Sequence, residues 1–239
     1  MSTLVLVRHA QASFFAKDYD QLSELGEQQA RNLGAYFVKR GVTFDEVYTG
    51  PAKRHQRTAE LVGEQLRKAG LPWPDPSVLP DLHEHSGDKI LTHPSISESD
   101  QYPELRELFK AYKSATDRIE IQRGFQRLFE QVVARWSQGE FPVPGIETWE
   151  EFQTRVRRGL RQIMTHNENR SRRVVSFSSV GPITISLQMA LSTPMAETLT
   201  LGWRLRNCSV SSFLFDADRF TLDAFNSVAH LENDEITYR

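Results

Sequence analysis

An apolar run near the start of the chain ends abruptly in two polar residues. The run is Leu4-Val5-Leu6-Val7, and Arg8 and His9 follow it directly. Consecutive aliphatic residues with no polar neighbour are typical of a strand buried on both faces, as in a parallel sheet. Ligands of open α/β sheets bind where such strands end. We therefore expect Arg8 and His9 to lie at the edge of a sheet where a ligand can bind.

The side chains of Arg8 and His9 suit phosphate chemistry. An imidazole can act as a nucleophile or a base, and a guanidinium presents a planar fork that matches phosphate or carboxylate oxygens. The pair by itself also fits an ordinary histidine and arginine at the surface end of a strand.

Strand and helix patterns alternate along the rest of the chain. Residue periodicity predicts helices over 24–39, 52–69, 102–136, 148–165 and 183–191, and strands over 42–48, 173–178, 209–216 and 220–226, the last two as an antiparallel hairpin. This order predicts an α/β fold, a three-layer α/β/α sandwich with a mostly parallel central sheet. We expect a single domain over 1–239, with a helical insertion at about 92–140 that forms a cap over the active-site edge.

Composition limits the classes of partner. The 239 residues carry a net charge of -2 with no long block of one sign, so neither nucleic acid nor a membrane is expected as a partner. The apolar stretches are shorter than the roughly 18 residues that a membrane helix needs. The single cysteine, Cys208, permits no internal disulfide and is expected to be a small buried residue. These features favour a cytoplasmic protein, and they leave its oligomeric state open.

Further motifs follow Arg8-His9 in a definite order. They are Leu22-Ser23-Glu24-Leu25-Gly26, then Gly50-Pro51-Ala52-Lys53-Arg54 leading to Thr58-Ala59-Glu60, then Leu82-His83-Glu84, and Gly145-Ile146-Glu147-Thr148-Trp149. This order resembles the histidine phosphatase (phosphoglycerate-mutase-like) superfamily over essentially the whole chain. The most specific part is Arg8-His9 combined with Arg54 in the setting Pro-x-x-Arg-x-x-x-Thr-Ala.

The resemblance implies a metal-independent phosphomonoesterase that uses no cofactor and acts on a small phosphorylated metabolite. His9 would attack phosphorus and form a phosphohistidine that water then hydrolyses, with a backbone carbonyl fixing its tautomer. Arg8 and Arg54 would stabilise the phosphoryl charge. Glu84 would act as the acid that protonates the leaving alcohol.

Weaker assignments accompany these. Gln11 and Ser23 are expected at the edge of the phosphate site, and Glu147 is expected to orient a catalytic arginine. Arg57 is read as an exposed helix charge and His230 as a structural residue. His83 and His85 either approach the phosphate from the acid loop or are ordinary loop histidines.

The chain departs from the family pattern at Ser179. The family usually places a second histidine there, after a central strand, whereas this chain reads Ser178-Ser179-Val180-Gly181. Loss of that phosphate donor should cost about 2 to 4 kcal/mol of transition-state stabilisation. The Ser179 hydroxyl and the amides of Val180 and Gly181 could recover part of it, since they begin a helix.

Three alternatives to the phosphatase remain open at this point. With Ser179 in place of histidine, the chain could be a weakened or inactive member of the fold that binds a phosphorylated ligand. Mutase activity is less favoured, because no dense basic cluster is available to hold a second phosphate. A serine hydrolase would use Ser179 with Asp223 and His230, in the chain order of the α/β-hydrolases.

Overall fold

A computed structural model of the chain describes residues 1–13, 20–93, 102–140, 143–167 and 170–238. These divide into two compact units: unit 1 comprises Met1–Glu84 and Arg155–Arg239, and unit 2 comprises His85–Thr154. Every residue predicted to catalyse or to bind phosphate belongs to unit 1. Part of the predicted insertion, 94–101, lies outside the described residues, so its function as a cap stays a prediction.

Unit 1 contains a six-stranded sheet. The strands are β1 (Ser2–Arg8), β2 (Glu46–Thr49), β3 (Ser77–Val78), β4 (Arg173–Ser178), β5 (Val210–Phe215) and β6 (Phe220–Ser227). Their order in the sheet is β3-β2-β4-β1-β5-β6. The pairs among β1 to β4 are parallel, while β5 pairs antiparallel with both β1 and β6. The predicted mostly parallel sheet and the antiparallel hairpin at its edge are both confirmed.

The helices in the described residues number eight. They are α1 (Glu24–Lys39), α2 (Lys53–Lys68), α3 (Gly87–Thr92), α4 (Pro103–Ser114), α5 (Arg118–Ser137), α6 (Trp149–Thr165), α7 (Val180–Leu191) and α8 (Met195–Gly202). Val5, Val7 and Phe177 pack in one buried cluster with apolar residues of α1 and α2. Because side chains alternate along a strand, Leu4 and Leu6 face the other side of the sheet, and α7 contacts β1. The alternation explains why β1 is apolar at successive positions.

Unit 2 is helical and has an aromatic centre. The ring of His85 lies 5.9 Å from that of Phe129, 5.2 Å from that of Trp136 and 5.4 Å from that of Phe152. His85 is buried among these rings. This environment agrees with a structural role for His85.

Three predicted helices or strands differ from the structure by more than one residue at a boundary. The helix predicted from Ile183 begins at Val180. The strand predicted over 42–48 begins only at Glu46, because Val42 belongs to the end of α1: its amide donates to Phe37, and the amide of Gly41 donates to Val38 while Gly41 has a φ of 62°. This pattern is a Schellman cap. The helix predicted over 102–136 is two helices, α4 and α5. The first ends at Ser114, and the second begins after Asp117, whose carboxylate caps α5.

No helix in the described part of the chain is both long enough and apolar enough to cross a bilayer.

Candidate active site

The parallel pairing of β1 with β4 places two predicted site residues side by side. Arg8 is the register partner of Ser178, so His9 and Ser179 are the first residues beyond neighbouring strand ends. The His9 amide donates to the Ser178 carbonyl at 2.8 Å. Both side chains are buried, with His9 5% exposed and Ser179 1% exposed. The site lies at the edge of the sheet that the sequence predicted.

The His9 ring is held by its own backbone neighbour. Nδ1 lies 2.8 Å from the carbonyl oxygen of Ala10. Because a carbonyl only accepts hydrogen bonds, this contact places the proton on Nδ1 and leaves a lone pair on Nε2. Burial, together with the charges of Arg54 and Arg8, holds the pKa of His9 well below its usual range. The imidazole is therefore neutral, as a nucleophile must be.

Both predicted phosphate-binding arginines lie in this region. Nη1 of Arg8, at the end of β1, donates to the carbonyl of Leu205 at 2.5 Å. Nη1 of Arg54, in the first turn of α2, lies 2.6 Å from the Asp20 carboxylate. That carboxylate also accepts from the amides of Lys53 and Arg54 and so caps α2. Asp20 had no role in the sequence prediction.

Thr58 connects the His9 loop to α2. Its hydroxyl donates to the Arg54 carbonyl at 2.7 Å and accepts from the Ala10 amide at 3.2 Å. The threonine of the Pro-x-x-Arg-x-x-x-Thr-Ala pattern thereby fixes the backbone beside the nucleophile relative to the helix that carries Arg54.

Gln11 and Ser23 bond to each other in the described structure. Oγ of Ser23 donates to Oε1 of Gln11 at 2.7 Å and accepts from the Gly26 amide, which makes Ser23 the N-cap of α1. Their expected contact with phosphate stays a prediction. The same is true of Glu147, which belongs to unit 2.

Arg57 differs from Arg54 in its environment. Its guanidinium is paired with Glu27 at 3.0 Å and with Glu60 at 2.7 Å, and its side chain is 36% exposed. These contacts agree with the expected exposed helix charge.

Glu84 lies against the first turn of α7. Its two carboxylate oxygens are 3.2 and 3.1 Å from the Gly181 amide nitrogen. Arg155 supports the same loop, since its Nη1 donates to the carbonyls of Asp81 at 2.9 Å and His83 at 3.0 Å. The Gly181 amide, expected to face phosphate, thus binds the predicted acid.

His55 is a residue of this site that the sequence reasoning missed. Its Nε2 lies 2.6 Å from Oγ of Ser179, and its ring centroid lies 5.7 Å from that of His9. Burial and the charge of Arg54 hold the pKa of His55 well below its usual range. One signal was available: His55 follows Arg54 directly and shares the buried face of α2 with Thr58 and Ala59.

His83 is a second histidine whose ring lies near that of His55. Its ring centroid is 6.5 Å from that of His55, and its pKa is lowered by partial desolvation and by the charge of Arg54. Three histidine rings therefore lie in this region, with His55 next to both His9 and His83.

The hydrolase arrangement of Ser179, Asp223 and His230 is not supported by the contacts. Ser179 bonds to His55, Asp223 accepts from Ser212 at 2.8 Å, and the His230 ring lies 6.1 Å from that of Tyr36. Burial lowers the pKa of His230 to about 4. The partly buried His230 thus packs near Tyr36, in agreement with the structural role expected of it.

Comparison with known sequences identifies the family. A sequence model of the histidine phosphatase superfamily (branch 1) matches residues 4–138 and 97–228. A 2,3-bisphosphoglycerate-dependent phosphoglycerate mutase of Azorhizobium caulinodans is 38% identical over 74 residues, 28% of this chain and 36% of that protein. The corresponding mutase of Thermobifida fusca is 40% identical over 80 residues, 30% of this chain and 31% of that protein. The chain thus spans about a third of the length of the curated relatives it matches.

Solved structures share the fold. An alpha-ribazole phosphatase from Shigella flexneri has a TM-score of 0.61 at 21% identity, covering 97% of this chain and 100% of that one. A mycobacterial glucosyl-3-phosphoglycerate phosphatase in complex with inorganic phosphate has a TM-score of 0.62 at 23% identity, covering 97% and 100%. A phosphoglycerate mutase from Bacillus anthracis has a TM-score of 0.63 at 21% identity, covering 96% and 94%.

Proposed function

The chain belongs to the histidine phosphatase superfamily, and from this premise we propose that it is a phosphomonoesterase that works through a phosphohistidine at His9. Its substrate is a small phosphorylated metabolite, and its setting is the cytoplasm. The observation that carries the proposal is the state of His9: Nδ1 faces the Ala10 carbonyl, and the lowered pKa keeps Nε2 unprotonated beside two arginines.

The first step transfers the phosphoryl group to the enzyme. The lone pair on Nε2 of His9 forms a bond to phosphorus while the ester P–O bond breaks. Arg8 and Arg54 stabilise the charge on the equatorial oxygens, so fixed guanidinium groups supply the electrostatic stabilisation of this step. Glu84 gives its proton to the leaving alkoxide, which departs as an alcohol.

The second step regenerates the enzyme. Glu84, now a carboxylate, takes a proton from a water molecule whose oxygen attacks phosphorus. The N–P bond breaks, the electron pair returns to Nε2 of His9, and inorganic phosphate leaves. Atoms and charges balance over the two steps with water as the only co-reactant.

Two neighbouring functions share most of these residues. The curated relatives are named as mutases, which pass the phosphoryl group to a second hydroxyl rather than to water. The phosphate-binding alternative is favoured by one observation, the serine at position 179, where the family has a donor of greater charge. A binding protein would need Arg8 and Arg54 but neither the neutral Nε2 of His9 nor Glu84.

The test is to trap the intermediate. The protein is mixed with p-nitrophenyl phosphate, quenched, and analysed by intact-protein and peptide mass spectrometry alongside turnover. We expect one added phosphoryl group on His9 and steady release of phosphate. In His9→Ala both signals should disappear, with a loss on the order of 10⁴-fold in kcat, because the covalent route is removed.

Three other results would reject the proposal. Turnover that survives in His9→Ala would exclude the phosphohistidine route. Phosphate that binds without any adduct or turnover in the wild type would identify the binding alternative. Efficient conversion of 3-phosphoglycerate to 2-phosphoglycerate by the wild type would favour the mutase.

A further inference from the structure

We propose that His55 and Ser179 act together in place of the histidine that this family usually has after β4. Nε2 of His55 donates to Oγ of Ser179, and the Ser179 hydroxyl donates to a phosphoryl oxygen. Ser179 is then a catalytic residue and His55 a positioning residue. The inference rests on the proposed function and adds two residues to its phosphate site.

The position of Ser179 in the fold shows that its hydroxyl is not used as a helix cap. Ser179 is the N-cap residue of α7, where a serine usually accepts from an amide two or three residues later. In this structure Glu84 binds the Gly181 amide instead, and Oγ of Ser179 lies 2.6 Å from His55. The hydroxyl is therefore oriented by the imidazole.

The chain makes room for the His55 ring. A Cβ atom at Gly50 would stand 2.3 Å from Nδ1 of His55 and 2.9 Å from the Leu82 carbonyl oxygen, so any larger residue at Gly50 would displace the ring. His55 is fully buried on a helix face that otherwise holds small or apolar residues. Because a buried imidazole costs free energy unless its polar atoms are used, an apolar residue would serve packing better.

The direction of the bond follows from the charge of the ligand. A phosphoryl group beside Ser179 is an acceptor only, so it binds best when the hydroxyl proton points toward it. The Ser179 oxygen must then accept from His55, which requires a proton on Nε2. The anion thus favours the form of His55 that donates, and the histidine acts on the substrate through the serine.

A double-mutant cycle tests this arrangement. The variants are His55→Ala, Ser179→Ala and the double alanine variant, measured by kcat, KM and the single-turnover rate of His9 phosphorylation with p-nitrophenyl phosphate. Each single variant should lower kcat about 10²-fold, the effect of removing one oriented donor. The double variant should lose no more than either single one, because residues that act as a unit are not additive.

Two rescue variants separate positioning from folding. In His55→Gln a side-chain amide can donate in place of Nε2, and most of kcat should return. The double variant His55→Ala/Ser179→His places the imidazole at the position usual in the family. Its kcat should be within about tenfold of the wild-type value. The control is His166→Ala, an exposed histidine at the end of α6, which should leave kcat unchanged.

Several outcomes would overturn the inference. An unchanged kcat in His55→Ala, or multiplied losses in the double variant, would show that the two residues act independently. A His55→Ala loss that follows a lowered melting temperature and is not rescued by glutamine would mean a packing role. If His9 is phosphorylated in the wild type while the cycle shows no coupling, this inference alone fails. If no phosphohistidine forms at His9, the proposed function fails with it.

Discussion

The ends of β1 and β4 are neighbours in one sheet, yet they supply the site in different ways. The end of β1 carries its functional groups in its own sequence, Arg8 and then His9, and both are held by backbone carbonyls. The end of β4 carries only hydroxyls. Ser178 donates to the Leu82 carbonyl at 2.7 Å, and Ser179 bonds to a histidine that comes from α2.

This difference shows that a site is defined by positions in space, which different segments can fill. Arg54 and His55 are successive residues in the first turn of α2, and their side chains bond to Asp20 and Ser179 respectively. An imidazole thus lies 2.6 Å from the Ser179 hydroxyl although the end of β4 carries none, because α2 supplies it. The following predictions test how far the two strand ends depend on α2.

Among the residues of α2, Arg54 is expected to give the largest effect. Replacing it with glutamine removes a fixed cation next to the phosphoryl group, so kcat/KM should fall by about 10²- to 10³-fold, the scale for losing one transition-state donor. The measurement is steady-state turnover of p-nitrophenyl phosphate. A small loss of kcat/KM in Arg54→Gln would mean that α2 has only a structural role.

The chain offers a matched control for this variant in Arg57. It lies three residues further along the same helix and is paired with Glu27 and Glu60 at the surface. Arg57→Gln should keep kcat/KM within about threefold of wild type, since surface ion pairs contribute about 0 to 1 kcal/mol. Equal losses in both variants would show that the effect comes from helix stability and would contradict the assignment of Arg54.

The second prediction concerns pH, because one buried histidine with a lowered pKa, His9, follows β1, and another, His55, reaches the end of β4 from α2. His9 and His55 take up protons more readily in the unfolded chain than in the folded one, so the unfolded state binds more protons below pH 6.5 or so. The contribution of these two histidines to the free energy of unfolding is therefore fully present above that pH. It is lost as the pH falls toward the pKa values of the folded state. Within that window each histidine should contribute about 1.4 kcal/mol per pH unit to the slope.

Urea unfolding at a series of pH values measures this slope. In His55→Gln the dependence of the unfolding free energy on pH should lose the contribution of one histidine, about 1.4 kcal/mol per pH unit. His166→Gln, at an exposed position, should leave this dependence unchanged. An identical slope in wild type and His55→Gln would mean that His55 is protonated in the folded protein.

Much of the fold followed from local patterns. The boundaries of α1 were predicted to the residue, because Ser23 caps the helix and apolar residues recur at helical spacing. Strand β4 was also predicted over its observed length, since its apolar run ends in serines. The strand before α2 was predicted too early, because the cap at Gly41 and Val42 was not recognised as part of α1.

The candidate site was only partly predictable, and the reason is physical. His9, Arg8, Arg54 and Glu84 lie in or next to elements that can be recognised in sequence, so motif order selected them as candidates. The bond between His55 and Ser179 joins residues 124 positions apart. Its formation depends on the register of β1 with β4, the docking of α2 and the absence of a side chain at Gly50, and none of these can be read from local spacing.

The third prediction breaks the connection between the His9 loop, at the end of β1, and helix α2. Thr58→Val keeps the shape of the side chain but removes the hydroxyl that accepts from the Ala10 amide. A buried amide without an acceptor costs about 1 to 3 kcal/mol, so the unfolding free energy should fall by about that amount and kcat should also decrease. Thr58→Ser retains the hydroxyl and should preserve kcat. Similar losses in the valine and serine variants would point to the methyl group instead.

The smallest effect is expected at Asp20, which caps α2 and holds Arg54. Asn in its place can still accept from the Lys53 amide through its one carbonyl oxygen, but it no longer carries the charge 2.6 Å from the guanidinium. Phosphate would then meet less competition for Arg54, and the inhibition constant for inorganic phosphate should fall about two- to fivefold, in keeping with a partly exposed ion pair. Asp45→Asn is the control, because Asp45 accepts from the Arg173 amide at the opposite end of β4. Weaker phosphate binding in Asp20→Asn would instead show that the carboxylate orients Arg54 for the substrate, so that the ion pair belongs to the working site.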